Sequence, residues 1–195
     1  METPTIYLPS RLELKINLTD EQFWQLCQEN DDLRFEKSAT GELIIMSPTG
    51  GNTGKRNVKI TTQLDIWNSQ NNLGEVFDSN TGFILPNGSQ RAPDASWLSR
   101  EKWDTLTLEE QDKFLPLCPD FVVELMSPRD TLEKTRTKMR EYIENGAKLG
   151  WLINRKKRQL EIYRPEQGVE ILENPQRVSG ENILPGFVLD LTLIW

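Results

Sequence analysis

The sequence contains no histidine, and this absence removes several kinds of active site. Ser-His-Asp triads, Cys-His dyads, imidazole general bases and histidine-ligated zinc are all excluded. The only two cysteines, Cys27 and Cys118, are far apart and outside any CxxC pattern, so we expect both to be buried as small apolar side chains. Hydrolytic chemistry must then come from Asp, Glu, Lys, Tyr and a metal held by oxygen, which favours magnesium or manganese.

Long apolar runs are also missing. No run approaches the roughly 18 residues that span a bilayer, and the opening METPTIYLPSRLELKI lacks the basic-then-apolar order of a signal peptide. We therefore expect a cytoplasmic protein without membrane contact. The chain has 195 residues, of which 36% are hydrophobic and 27% charged, and it shows no repeat or linker. This composition predicts one domain over residues 1–195.

Positive charge is in deficit, with a net charge of −7. This balance argues against indiscriminate nucleic-acid binding, which is driven by neutralising phosphates. A local basic face is still compatible with a nuclease. The run NRKKRQ at 154–159 has two interpretations, a solvated hairpin tip or a loop that contacts phosphate.

Helical and strand patterns alternate along the chain. The first predicted elements are a helix capped by Thr19 over 19–30, a hairpin over 33–46 and a helix that begins after Gly50 and Gly51. Three short strands over 73–99 follow, then a helix with a capping box of Thr107 and Glu110 and a strand within 119–127. The last elements are a helix from Asp130 to Asn145, a hairpin over 149–165 and further short strands to the end. This order predicts an α/β domain with a mixed, mostly antiparallel sheet.

A glutamate interrupts the most apolar of these strands. Glu124 lies within PDFVVELMSPRD at 119–130, and a carboxylate there must be paired, protonated, bound to a cation or placed at the open end of a sheet. Side-chain alternation separates the strand into two faces. One face carries Val122, Glu124 and Met126, and the other carries Phe121, Val123 and Leu125.

A second strand, APDASWLS, also begins with Pro-Asp. Asp94 can meet Glu124 if the two strands are neighbours, and because two carboxylates repel each other, such a pair predicts a divalent cation between them. Asp120 is a third carboxylate, but four residues along the strand place it about 13 Å from Glu124. We therefore interpret Asp120 as structural.

Catalysis at such a pair also needs a cationic side chain. The position two residues after Glu124 on the same face is Met126, so the lysine must come from the next helix, which offers Lys134 and Lys138. At about 100° per residue, Lys138 lies ~40° from Tyr142 at the edge of the apolar stripe, and Lys134 lies a further ~40° toward solvent. This spacing favours Lys138.

These motifs resemble the PD-(D/E)XK nuclease superfamily. The run PDFVVELMSPRDTLEKTRTKMREYIENGAKLGWLIN, with the flanks GELIIMSPTGG and ILPGFVLDL, is similar to the Uma-two family of restriction-endonuclease-like proteins over most of the chain. The resemblance implies a restriction-endonuclease-like core, a mixed, mostly antiparallel sheet flanked by helices. It also implies Mg²⁺ or Mn²⁺ on Asp94 and Glu124, with Glu36 able to complete the metal's ligands.

The resemblance also assigns the remaining site residues. Lys138 matches a lysine that has moved from the strand to the helix, four residues before Tyr142. Many relatives carry a histidine on the helix after the Ser-Pro turn, where this chain has only Asn52 or Asn57. We treat Asn57 and Tyr142 as accessory residues.

The resemblance implies a metal-dependent endonuclease that hydrolyses phosphodiester bonds of nucleic acid, DNA in particular. Two alternatives stay open: a catalytically inactive nuclease-fold scaffold or partner-binding module, and a carboxylate–metal hydrolase of a small phosphate ester. Structural roles are also open for single residues. Glu124 could form a buried salt bridge, Asp94 could be a turn residue and Lys138 a solvated lysine. Glu36 could be structural, and Tyr142 could belong to the core. A homodimer is compatible with the exposed sheet edge that we expect.

Overall fold

The structure, a computed structural model, describes residues 11–195. The strands are β1 (Arg11–Lys15), β2 (Arg34–Lys37), β3 (Glu42–Met46), β4 (Gly74–Asp78), β5 (Phe83–Ile84), β6 (Gln90–Arg91), β7 (Ala95–Ser99), β8 (Phe121–Leu125), β9 (Leu149–Asn154), β10 (Gln159–Tyr163), β11 (Glu170–Glu173), β12 (Arg177–Ser179) and β13 (Val188–Asp190). The helices are α1 (Asp20–Glu29), α2 (Gly51–Asn71), α3 (Arg100–Trp103), α4 (Leu108–Gln111) and α5 (Leu132–Glu144), with a 3₁₀ turn over Leu191–Leu193.

The main sheet has six strands in the order β11-β10-β9-β8-β7-β4. Strands β8 and β9 run parallel because α5 connects them, whereas the other neighbours in this sheet are antiparallel. A five-stranded sheet has the order β1-β3-β2-β6-β5, and β12 pairs with β13. The predicted α/β fold, with a mixed, mostly antiparallel sheet flanked by helices, is confirmed.

The core lies on both faces of the main sheet, and β8 shows how. Phe121, Val123 and Leu125 pack with α2 and the C-terminal segment, whereas Val122 packs against Met139 and Tyr142 of α5. The predicted alternation of β8 is therefore confirmed. It directs Glu124 to the α5 side of the sheet.

Several local predictions are confirmed in detail. Thr19 caps α1 in a capping box with Gln22, and Thr107 forms the same motif with Glu110 at α4. Strands β2 and β3 form the expected hairpin, β9 and β10 form another, and α2 begins directly after Gly50. No helix in residues 11–195 is both long enough and apolar enough to cross a bilayer.

Other predictions were wrong at element boundaries. Asp130 does not start α5, because its carboxylate accepts the Ser127 N–H at 2.6 Å and closes the preceding turn, which leaves Thr131 as N-cap. The segment 73–99 contains four strands instead of three. Pro93 lies between β6 and β7, where it has no N–H to donate to a ladder. Cys118 is buried as expected, but Cys27 is partly exposed.

Candidate active site

The candidate site lies where β8 ends, and separate elements supply its residues. Glu124 comes from β8 itself, Asp94 directly precedes the neighbouring β7, and Lys138 faces them from α5. The other contributors are Glu36 on β2, Tyr142 on α5 and Asn57 on α2. Glu36, Glu124, Lys138 and Tyr142 are joined by direct side-chain contacts. Asp94 and Asn57 bond to each other, and the Leu125 N–H holds Asp94 beside β8.

Lys138 lies between two carboxylates. Its Nζ is 2.7 Å from Glu36 Oε1 and 2.7 Å from Glu124 Oε1, and it also donates to the Ala92 carbonyl at 3.4 Å. Lys134 instead pairs with Glu13 at the surface, where its side chain is 57% exposed against 17% for Lys138. Of these two lysines, Lys138 is the one at the site.

Glu36 is buried and fully engaged. Its Oε1 accepts the Ala92 N–H at 3.2 Å besides Lys138, and its Oε2 pairs with Arg91 at 3.3 Å. Arg91 in turn binds Glu141 Oε2 at 2.6 Å. Burial acts to raise the pKa of Glu36, but Lys138 and Arg91 outweigh it and hold the pKa at about 2. Glu36 is therefore ionised at neutral pH.

The pKa of Glu124 is shifted in the opposite direction from that of Glu36. Burial raises its pKa to about 7, and the negative charges of Asp94 and Glu36 add to this effect, while Lys138 opposes it. The Tyr142 hydroxyl donates to Glu124 Oε1 at 3.1 Å. Glu124 Oε2 accepts no hydrogen bond from any residue in the described part of the chain.

Asp94 is fixed from two sides. Its Oδ2 accepts the Leu125 N–H at 2.8 Å, which holds the carboxylate beside β8, next to Glu124. Its Oδ1 accepts Asn57 Nδ2 at 2.8 Å. Burial raises the pKa of Asp94, and the Leu125 N–H and the charge of Lys138 act against that rise.

Comparison with known proteins identifies the family. The family model Uma2, described as "Putative restriction endonuclease", matches residues 20–192. The chain belongs to the Uma2 family. The resemblance expected from the sequence is thereby confirmed.

A solved structure agrees with this assignment at the level of the fold. The Uma2 chain is similar to the crystal structure of a "putative nuclease belonging to DUF820" from Anabaena variabilis, with a TM-score of 0.74 and 20% sequence identity. The match covers 91% of this chain and 98% of that one. No curated protein matches the chain. The fold of this Uma2 protein is therefore that of a nuclease-like relative, and its site must be judged on its own residues.

The donor chemistry of the Uma2 site suits a hard divalent cation. Asp94 and Glu124 offer carboxylate oxygens, and the buried Asn57 Oδ1 has no hydrogen-bond partner. In residues 11–195 only two cations, Lys138 and Arg91, pair directly with Glu36, Asp94 or Glu124, so negative charge is in excess among these groups when all are ionised. Within residues 11–195, no three acidic or cysteine side chains form a cluster already arranged to hold a metal. The residues fit a divalent cation by donor type and charge, although Lys138 lies between Glu36 and Glu124.

Asp120 takes no part in this site. It lies at the opposite end of β8, where its carboxylate pairs with Lys102 at 3.1 Å and Lys148 at 3.0 Å and accepts the Ser99 N–H at 3.0 Å. These contacts join β8 to α3 and to the start of β9, as expected for a structural carboxylate.

Sequence reasoning missed Arg91 and Glu141. Arg91 lies three residues before Asp94, and Glu141 lies three residues after Lys138 on α5. Together they connect Glu36 to α5 through the guanidinium group. The proximity of Arg91 to the Pro-Asp motif was available as a signal, but its partners depend on the pairing of β2 with β6.

Proposed function

We propose that this Uma2 protein is a metal-dependent endonuclease that hydrolyses phosphodiester bonds of nucleic acid, with DNA as its substrate. The main support is the convergence of Asp94, Glu124 and Lys138 at the end of β8. Buried carboxylates in excess over cations destabilise a fold, so packing alone does not account for their placement. An anionic substrate with a divalent ion does account for it.

Asp94 and Glu124 would hold the Mg²⁺ or Mn²⁺ ion. Glu36 is the third candidate ligand, although both its oxygens already accept bonds from Lys138 and Arg91. When bound at such a site, the ion polarises the scissile phosphate and lowers the pKa of the attacking water.

Lys138 would act as a hydrogen-bond donor. Burial acts to lower the pKa of Lys138, but the negative charges of Glu124 and Glu36 outweigh burial and raise the pKa above its ordinary value of 10.5. The ammonium therefore stays protonated at neutral pH and cannot serve as a general base. A protonated amine here can orient the attacking water or stabilise the charge that develops on the phosphorus. Tyr142 supports this role because its hydroxyl holds Glu124 Oε1, the atom that Lys138 contacts.

Plasmid nicking tests the activity. Purified protein with magnesium or manganese should convert supercoiled DNA to the open circle, and Asp94→Ala and Lys138→Ala should each abolish the conversion. Lys134→Ala is the matched control, since this lysine lies one turn earlier on the same helix and outside the site. Nicking that persists in both site variants would show that another protein or another site is responsible.

Metal binding tests the site independently of turnover. Isothermal titration with Mn²⁺ should show binding that is lost in Glu124→Gln and retained in Glu109→Gln, an exposed carboxylate on α4. Equal binding by both variants would place the metal elsewhere.

One observation favours a second function, a catalytically inactive scaffold. Lys138 and Arg91 already pair with Glu36, and Lys138 with Glu124, so these ion pairs can hold β2, β8 and α5 together without a metal. A scaffold should show no Mn²⁺ binding at millimolar concentration and no nicking. Binding and nicking that are both lost in Asp94→Ala would exclude it.

A further inference from the structure

Some cationic side chains of this acidic protein are paired with carboxylates, as Lys113 is with Glu109 and Arg164 is with Glu170. Others form no ion pair with an aspartate or glutamate in residues 11–195. Five of these come from two segments, and we name them the basic edge: Lys55 and Arg56 on α2 and Arg155, Lys156 and Lys157 in the β9–β10 turn.

The β9–β10 turn lies beside the candidate site. Strands β8 and β9 are parallel, and Leu125, whose N–H binds Asp94, pairs with Ile153. Strand β9 ends at Asn154, and Arg155 is the first residue of the turn that follows, two residues after Ile153. The turn therefore begins within roughly 7 Å of extended chain from Ile153, the residue paired with Leu125.

The first turns of α2 reach the same place. Arg56 directly precedes Asn57, the residue that donates to Asp94 Oδ1. Ile153 and the α2 residues Ile60 and Leu64 belong to one core cluster, so α2 covers the Ile153 face of β9. The basic edge thus flanks the site on the α2 side, opposite Lys138.

Arg56 and Arg155 lie near enough for their charges to interact, and no acidic side chain in residues 11–195 pairs with either. The Arg56 guanidinium donates to the carbonyl oxygens of Asn52, Ile194 and Trp195. The Arg155 Nε atom is buried and has no hydrogen-bond partner in the described part of the chain. Burial lowers the pKa of Arg155, and the positive charge of Arg56 lowers it further. Two neighbouring guanidinium groups repel each other, and an anion between or beside them removes that cost.

We propose that the basic edge binds the phosphate backbone of the nucleic acid next to the phosphate that is cleaved. The proposal rests on the proposed nuclease function, because it places the substrate across the Asp94–Glu124 site. One strand of a duplex carries a phosphate about every 3.4 Å along its axis, so a turn beside the site faces phosphates within a few nucleotides of the one that is cleaved. Guanidinium and ammonium groups suit such phosphates, and they supply affinity without reading the base sequence.

Salt-dependent binding to DNA tests the proposal. Anisotropy of a short fluorescein-labelled duplex is measured in EDTA, so that cleavage does not interfere, for wild type and for the variant Arg155→Gln/Lys156→Gln. Each lost phosphate contact should reduce the slope of log K against log salt by about 0.9, so this variant should lose nearly 2 from the slope and bind at least tenfold more weakly in low salt. A second variant, Lys156→Gln/Lys157→Gln, changes only exposed side chains and should show a similar loss.

The matched control is Lys113→Gln/Arg140→Gln, which removes two cations that are paired with glutamates away from the site. Its affinity and slope should equal those of wild type. The proposal is overturned if the basic-edge variants also match wild type, or if wild type does not bind the duplex at low salt. Binding that depends on the basic edge in a protein that never nicks DNA would support the basic edge and reject the nuclease function, so the two failures are distinguishable.

Discussion

Lys138 Nζ lies 2.7 Å from Glu124 Oε1, which joins the middle of α5 to the end of β8 inside the protein. The same ammonium pairs with Glu36, and Arg91 pairs with Glu36 from the other side. Glu124 is tolerated in an apolar strand because its carboxylate accepts from Lys138 and from the Tyr142 hydroxyl at the edge of the core. Because this ion pair is buried, removal of either charge should change the stability of the protein.

Lys138→Met should destabilise the metal-free protein. The substitution keeps the apolar stem but leaves Glu36 and Glu124 without the ammonium, and breaking a buried pair in this way costs about 3–5 kcal/mol. Because the pKa of Glu124 is about 7, this carboxyl is largely protonated at pH 5, so the loss should be smaller there than at pH 8. Urea unfolding in EDTA at both pH values measures it.

The control for this prediction is Lys134→Met. Its ion pair with Glu13 is exposed, so its free energy of unfolding should change by no more than about 1 kcal/mol. Equal effects of the two substitutions would contradict a buried role for Lys138.

Tyr142→Phe should weaken both stability and metal binding. The hydroxyl donates to Glu124 Oε1 at 3.1 Å, and loss of such a bond to a carboxylate costs about 2 kcal/mol. Without this donor the ionised form of Glu124 is less favoured, so Mn²⁺ affinity near neutral pH should fall.

Tyr163→Phe provides a matched control for Tyr142→Phe. Tyr163 is also buried and donates to a buried glutamate, Glu161, at 2.7 Å, but it lies outside the site. This variant should lose similar stability in urea and keep its Mn²⁺ affinity. A parallel loss of affinity in both variants would mean that Tyr142 acts through folding alone.

Asp120→Asn should lower stability at neutral pH and have less effect in acid. Burial acts to raise the pKa of Asp120, but the Ser99 N–H, Lys148 and Lys102 lower it below its ordinary value of 3.8. A carboxyl with a depressed pKa in the folded state stabilises the protein above its unfolded pKa, and this contribution is lost as the pH falls through the folded value. Urea unfolding of wild type and variant should therefore differ at pH 7, and the difference should shrink as the pH falls below 3.8 and through the lower folded pKa. A difference that stays constant with pH would show that the ion pairs contribute nothing.

Gly74→Ala should disrupt the packing of β4 on β7. A Cβ at Gly74 would clash with the Leu98 carbonyl oxygen and lie 2.7 Å from the Trp97 ring, and the backbone oxygen cannot move without opening the sheet. We expect a loss of about 3 kcal/mol or more, since overpacking against backbone is poorly relieved. Thermal unfolding measures it.

Gly54→Ala serves as the control for Gly74→Ala. Gly54 is in α2, and its added Cβ would meet only Thr49 Cγ2, at an ordinary 3.7 Å. This variant should be stabilised by up to about 1 kcal/mol, because alanine favours the helix. Destabilisation of both variants to the same degree would contradict the specific close contact at Gly74.

Particular elements show how far the sequence could predict this fold. The Thr19 and Thr107 caps, the β2–β3 hairpin and the alternation of β8 depend on residues within a few positions of each other, and each was predicted correctly. The start of α5 was not, because Asp130 bonds to the Ser127 N–H instead of capping the helix. Both arrangements are open to an aspartate at that position, and only the surrounding turn decides between them.

The helix face of α2 was harder to predict than its presence. Val58 and Ile66 are apolar residues of α2, yet their side chains are 64% and 54% exposed. Ile60, Leu64 and Trp67 are the apolar residues of this helix that are buried. An apolar residue on an exposed face is common in soluble proteins, so hydrophobicity alone does not identify the buried stripe.

The sequence by itself determined the chemical groups available to this protein, namely carboxylates, lysine and tyrosine without histidine, and the side of β8 on which Glu124 lies. Those properties follow from composition and from the two-residue period of a strand. Only the tertiary structure decided that Lys138 bridges Glu36 and Glu124 and that Arg91 connects Glu36 to Glu141. These contacts join residues far apart in the chain, and their distances are set by how strands and helices pack, which no local pattern encodes.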